Sequence, residues 1–144
     1  MKIIIISGYF NPLHGGHLDM IEASRAMGDK LIVIVNNDVQ QLQKKGEIIL
    51  DEANRLRLIR SLRDVDEAVL SIDSDRTIRE TLLSVAKAHP SDSLTFANGG
   101  DRSSPESVPE YDICKEYGIA MEFGVGGDNK YDSSTRINKS TGAE

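Results

Sequence analysis

The chain has little cysteine, few aromatic residues and no long apolar run. Its one cysteine, Cys114, excludes an internal disulfide and a cysteine-rich zinc site, and fits a reducing, cytoplasmic setting. With no tryptophan and aromatics at 5%, an open platform of rings for single-stranded nucleic acid is not expected. No stretch reaches the roughly 18 apolar residues of a membrane span, and the N-terminus lacks the apolar core of a signal peptide, so no membrane partner is expected. Basic residues are in deficit, 17 against 23 acids for a net charge of -6, which weighs against nucleic acid gripped through its phosphates. What is present is 144 residues with 39% apolar side chains, enough for one domain and one core, and three histidines.

Lys2-Ile3-Ile4-Ile5-Ile6-Ser7 is a β-branched run without alternation, the pattern of a strand covered on both faces in a parallel sheet. Leu31–Val35 has the same character, and weaker runs at Ala68–Ile72, Leu94–Ala97 and Ile119–Phe123 complete five strands. The intervening stretches have helical spacing. Leu18, Ile21 and Ala26 share a face, with Gly28 as C-terminal cap. Asp51 caps a helix with Ala53, Leu56, Ile59 and Leu62 inward and Arg55, Arg57, Arg60 and Arg63 on the other positions. Thr77-x-x-Glu80 is a capping-box pattern opening a helix that buries Ile78, Leu82, Val85 and Ala86 before Pro90. Pro109 starts a segment, Glu110–Tyr117, that Gly118 closes. This order predicts an α/β fold: a single doubly wound, Rossmann-like, five-stranded parallel sheet with helices on both faces over residues 1–138, then a short polar tail, 139–144.

In such a sheet the ligand sits beyond the carboxyl ends of the strands. The first loop there, Ser7 to His17, carries two of the histidines around Gly15 and Gly16 at a helix entry. Glycines admit close approach of a ligand, the amides of a helix start favour an anion, and His14 and His17, three apart, can both donate to phosphate oxygens. A purely structural reading makes one histidine a loop residue and the other a helix cap. A zinc reading lacks a third ligand, since Asp19 points elsewhere on the helix, so no metal site is assigned. Neither a P-loop nor a Gly-x-Gly-x-x-Gly fingerprint follows the first strand.

Gly8-Tyr9-Phe10-Asn11-Pro12-Leu13-His14-Gly15-Gly16-His17 resembles the Gly-x-Phe-(Asp/Asn)-x-x-His-x-Gly-His motif of the cytidylyltransferase-like nucleotidyltransferases. The similarity extends through Asn36-Asn37-Asp38, the Lys44-Lys45-Gly46 loop, Arg55, Val65-Asp66-Glu67 and Asn98-Gly99-Gly100-Asp101, landmarks similar to those of glycerol-3-phosphate cytidylyltransferases and heptose-phosphate adenylyltransferases. It runs from Lys2 to about Ile137.

The resemblance implies transfer of CMP or AMP from a nucleoside triphosphate, accompanied by Mg2+, to a small phosphorylated sugar or polyol, with release of pyrophosphate, by a homodimer. Carried over by position, His14 and His17 hold the α- and β-phosphate oxygens, and either Lys44 or Lys45 bridges the phosphates of the two substrates. Arg55 binds substrate phosphate. Gly8, Tyr9, Phe10, Asn11, Gly16, Asn98, Gly99 and Asp101 contact the nucleotide, and Ser133, Ser134 and Thr135 hold the β- and γ-phosphates. Asp132 departs from the family's apolar residue before the first serine, and Arg102 from its frequent Tyr or Trp. Arg76 and Arg79 are expected to face solvent, and His89 to have no role. A nucleotide-binding sensor or scaffold without turnover is the alternative. The choice between CTP and ATP is left open, being set by backbone around Gly99 and Gly126.

Overall fold

In the computed structural model, which describes residues 1–11, 13–99 and 108–125, the isoleucine run forms strand β1, Lys2–Gly8. It lies in the middle of a sheet completed by β2 (Lys30–Val35), β3 (Glu67–Leu70), β4 (Ser93–Ala97) and β5 (Ala120–Glu122). The strand order is β3-β2-β1-β4-β5 and every pairing is parallel. Ile3 and Ile5 face one cluster with Ile32, Ile34, Leu94 and Phe96, while Ile4 and Ile6 face a second with Leu31, Val33 and Val35. Both faces of β1 are dry, which is why its sequence does not alternate. Each isoleucine is at most 1% exposed, so each contributes about 1.5–3 kcal/mol of burial.

Helices cover both faces as expected. On one side α1 (Gly15–Ala26) contributes Ile21, and α3 (Glu52–Arg60) contributes Ile59. On the other, α4 (Arg79–Ala88) contributes Leu82, Val85 and Ala86, and α5 (Tyr111–Tyr117) contributes Cys114, whose thiol burial pushes up to about 12. Among the described residues no helix is long and apolar enough to cross a membrane.

Four local expectations are corrected. A further helix, α2 (Asp38–Lys45), follows β2, so Lys44 and Lys45 occupy its last turn rather than a loop, and Gly46 caps it at φ 70. Its apolar residues Val39 and Leu42 are exposed while Gln40 and Gln41 are buried, which inverts the amphipathic signal. In α3, Ala53 is exposed and Arg55 is buried, the reverse of the inward face read from apolar spacing. Gly28 follows the cap residue Met27 and is required for space: a Cβ there would lie 2.7 Å from the Lys2 carbonyl. Finally, Thr77 does not cap α4. Its hydroxyl donates to Asp75, and the orphan amides of Glu80 and Thr81 donate instead to the Asp73 carboxylate, at 2.8 and 3.0 Å. A carboxylate six residues upstream of the helix reaches the same donors, which the short-range capping pattern does not encode.

Candidate active site

The strand order reverses between β1 and β4, which in such sheets is where a ligand binds beyond the carboxyl ends, and the loops after β1, β2, β3 and β4 lie at that edge. After β1 the chain passes through Phe10, which holds a positive φ of 52 with its ring buried. Such a backbone is costly for a non-glycine residue and persists only where packing enforces it. Here the ring occupies the space above Gly8, where a Cβ would lie 2.8 Å from it, and meets the His17 ring edge-on with centroids 4.9 Å apart. Gly8 and Phe10 therefore act together as the floor beneath His17.

His14 is the N-cap of α1, in extended backbone, and its Nδ1 accepts from the Gly16 amide at 3.1 Å. His17 returns the contact: its Nδ1 accepts from the His14 amide at 3.3 Å, completing a capping box built from two imidazoles. The rings stack with centroids 3.7 Å apart. Because each Nδ1 is an acceptor, the proton of each neutral imidazole resides on Nε2, across the ring from the helix amides. Burial, then the neighbouring His14 and the charge of Lys44, push His17 down from 6.5 to about 3. His14 is thus a helix cap and His17, in the first turn, its reciprocal partner, neither of them a plain loop residue, and this capping fixes both as Nε2–H donors at a helix N-terminus.

A pH titration checks this directly. The His17 imidazole remains neutral with an Nε2–H signature in 15N-edited NMR between pH 8 and 5. Convergence of its two nitrogen shifts near pH 6.5 would contradict the assignment. The folded state binds fewer protons here than the unfolded state, so the fold loses stability as pH falls from 6.5 towards 3, by up to about 1.4 kcal/mol per unit.

Of the two lysines, Lys44 enters the site, its Nζ 4.2 Å from the centre of the Tyr9 ring. Lys45 lies one residue on, about 100° around the helix. Burial raises the Tyr9 phenol above its ordinary value, while the Arg76 guanidinium beside it acts the other way through its charge and a hydrogen bond. Arg76 was expected to face solvent; it is exposed and also reaches the site. Arg79 is taken by an ion pair with Asp112.

Arg55 lies beneath the site, not in it. Fully buried, it donates through Nε to the Leu50 carbonyl, through Nη1 to the carbonyls of Tyr9 and Asn36, and through Nη2 to Asp38 Oδ1, all at 2.6–2.8 Å. The guanidinium thus ties together the loop after β1, the end of β2, the start of α2 and the approach to α3. This corrects its reading as a substrate-phosphate ligand: these four internal oxygens already engage every nitrogen of the guanidinium. Asn11 is likewise buried and turned inward, its Oδ1 accepting the amides of Ile49 and Leu50 at 3.1 and 2.8 Å.

After β4, Asn98 is 9% exposed and its Nδ2 has no hydrogen-bond partner among the described residues. Leaving such a donor dry costs about 1–3 kcal/mol. Gly99 packs so closely on Val125 and Met20 that a Cβ would lie 3.0 Å from the Val125 carbonyl. Pro12, Gly100, Asp101, Arg102, Asp132, Ser133, Ser134, Thr135 and the tail 139–144 lie outside the described residues.

A doubly wound parallel sheet with paired imidazole donors over a helix N-terminus at its switch point defines an α/β protein whose edge presents donors of the kind that suit phosphate groups. A family model described as cytidylyltransferase-like matches residues 5–139, and the chain belongs to that nucleotidyltransferase family. It is similar to the bifunctional protein HldE of Geobacter metallireducens, 31% identical over 124 residues, covering 85% of this chain and 24% of that one. It is also similar to the FAD synthase of Methanocorpusculum labreanum, 42% identical over 82 residues, 56% of this chain and 58% of that one. The chain thus spans about a quarter of the HldE protein and little more than half of that FAD synthase. Among solved structures, the lipopolysaccharide core biosynthesis protein from Thermoplasma volcanium GSS1 superposes with a TM-score of 0.66 at 29% identity, covering 85% of this chain and 93% of that one.

Proposed function

We propose that the chain transfers a nucleoside monophosphate from a nucleoside triphosphate to a small phosphorylated sugar or polyol. The observation that carries this reading is the reciprocal histidine cap, which sets two Nε2–H donors over the N-terminus of α1 at the strand-order switch. An acceptor phosphate is anionic near neutral pH, so its oxygen attacks the α-phosphorus without a general base. The α–β bridging P–O bond breaks, pyrophosphate leaves with that electron pair, and a P–O–P linkage remains in the product. Catalysis then reduces to holding two anions in line and stabilising charge as it develops on the oxygens.

In this account His14 and His17 donate to the α- and β-phosphate oxygens, and Lys44, rather than Lys45, lies between the two substrates. Asn98 and Gly99 receive the nucleoside, helped by Asp101, with Ser133, Ser134 and Thr135 on the β- and γ-phosphates. Mg2+ arrives as part of the substrate, on the triphosphate oxygens. The likeness to FAD synthases, named for a product that contains adenine, favours AMP over CMP.

The test is pyrophosphate release over the four triphosphates against a panel of phosphorylated sugars and polyols. Release with an adenosine or cytidine triphosphate, dependent on a phosphorylated acceptor, is the expected result. Tight nucleotide binding with no release for any pair would overturn the enzyme reading in favour of a binding module.

A further inference from the structure

The loop between β3 and α4, residues 71–78, is held to an unusual degree for an exposed connection. Three amide side chains of the α2 region grip five of its carbonyls. Asn37 Nδ2 donates to Ser71 and Asp73, Gln40 Nε2 to Asp75 and Thr77, and Gln43 Nε2 to Ser74, at 2.7–3.0 Å. Gln40 is fully buried, and its Oε1 accepts from Asn36 and Asn37, so the clamp is anchored to the end of β2. Arg76 sits at the exposed crest of this loop, beside the Tyr9 hydroxyl.

The acids around Arg76 each hold backbone or hydroxyl donors. Asp75 accepts from the Thr77 amide and hydroxyl, Asp73 from Glu80 and Thr81, and Glu110 from the Ile78 amide. The neighbouring cation Arg79 is ion-paired with Asp112. A guanidinium on a clamped loop, with the Lys44 ammonium 4.2 Å above the same tyrosine ring, sets two cations beside Tyr9, whose phenol the Glu110 carboxylate also reaches electrostatically.

Its position determines which anion it receives. Asn98 and Gly99 lie after β4, on one side of β1, whereas the Arg76 loop and α2 follow β3 and β2 on the other. In-line displacement requires the attacking and leaving oxygens on opposite sides of the α-phosphorus. Resting on the nucleotidyl-transfer reading above, we infer that Arg76, with Lys44 and the Tyr9 hydroxyl, binds the phosphate of the acceptor, and that Arg76 is the residue that selects a phosphorylated acceptor over its free alcohol. The guanidinium suits this task because it presents paired N–H donors to two phosphate oxygens.

The test compares wild type with Arg76→Gln and Arg76→Lys, two readouts being taken for each. In steady-state kinetics Arg76→Gln raises the KM for the phosphorylated acceptor about tenfold to a hundredfold, with triphosphate affinity changed less than about twofold, and Arg76→Lys recovers part of the loss. In calorimetry with inorganic phosphate alone, wild type binds and Arg76→Gln does not. Unchanged acceptor KM and phosphate affinity in Arg76→Gln would overturn the inference, as would a loss confined to triphosphate affinity. If wild type releases no pyrophosphate with any acceptor, the transfer reading fails, while phosphate binding lost in Arg76→Gln still supports an anion site at Arg76.

Discussion

His14→Asn lowers turnover by roughly 10²–10³-fold, on the order of 3 kcal/mol in the barrier, while the protein melts within a few degrees of wild type. The two effects separate because His14 does two things. Its Nδ1 caps α1 by accepting the Gly16 amide, and asparagine is among the best residues for that task. Its Nε2–H, across the ring, is the donor that an asparagine in the capping geometry does not place. His14→Ala removes both functions, so it loses the same activity and about 1 kcal/mol of stability as well. Thermal melting and pyrophosphate-release kinetics on the two variants check this. Full activity in His14→Asn would show that capping, and not donation to phosphate, is all that His14 contributes.

Arg55→Leu destabilises the fold by about 3–5 kcal/mol, a melting-temperature loss on the order of 10 °C, whether or not substrate is present. The leucine fills much of the volume but leaves the carbonyls of Tyr9, Asn36 and Leu50 and the Asp38 carboxylate without their donor. Arg55→Lys cannot rescue it, because one ammonium cannot span four acceptors arranged around a planar fork. Denaturant unfolding of both variants measures the loss. A phosphate ligand would behave in the opposite way, with stability intact and acceptor KM raised, and that pattern would return Arg55 to the substrate.

The difference between these two residues shows what the sequence could reveal. The frame was legible because it rests on composition: four consecutive isoleucines have no exposed face, and that alone puts β1 in the middle of a doubly covered parallel sheet. The histidine pair was legible because its spacing equals one helical turn beside two glycines. Arg55 was misread because charge is ordinarily exposed, and its burial depends on oxygens from four separate segments that only the fold assembles. Helix α2 escaped notice because its inward face is made of glutamines that bind another loop's carbonyls, a polar interface with no apolar period. A signal was present in Asn37-x-x-Gln40 and Gly46, a capping box and a C-terminal glycine eight residues apart in helix length. Arg76 had no such signal, since nothing local distinguishes it from Arg79, and only the position of Asp112 does.

Transfer of a nucleoside monophosphate at the carboxyl edge of this sheet is tested by 31P NMR of the wild-type protein with magnesium, a nucleoside triphosphate and a phosphorylated acceptor. Pyrophosphate and a new pyrophosphate diester are expected in equal amounts, both suppressed by His14→Asn. Formation of inorganic phosphate and a nucleoside diphosphate instead, or unchanged spectra with every triphosphate and acceptor, would contradict it.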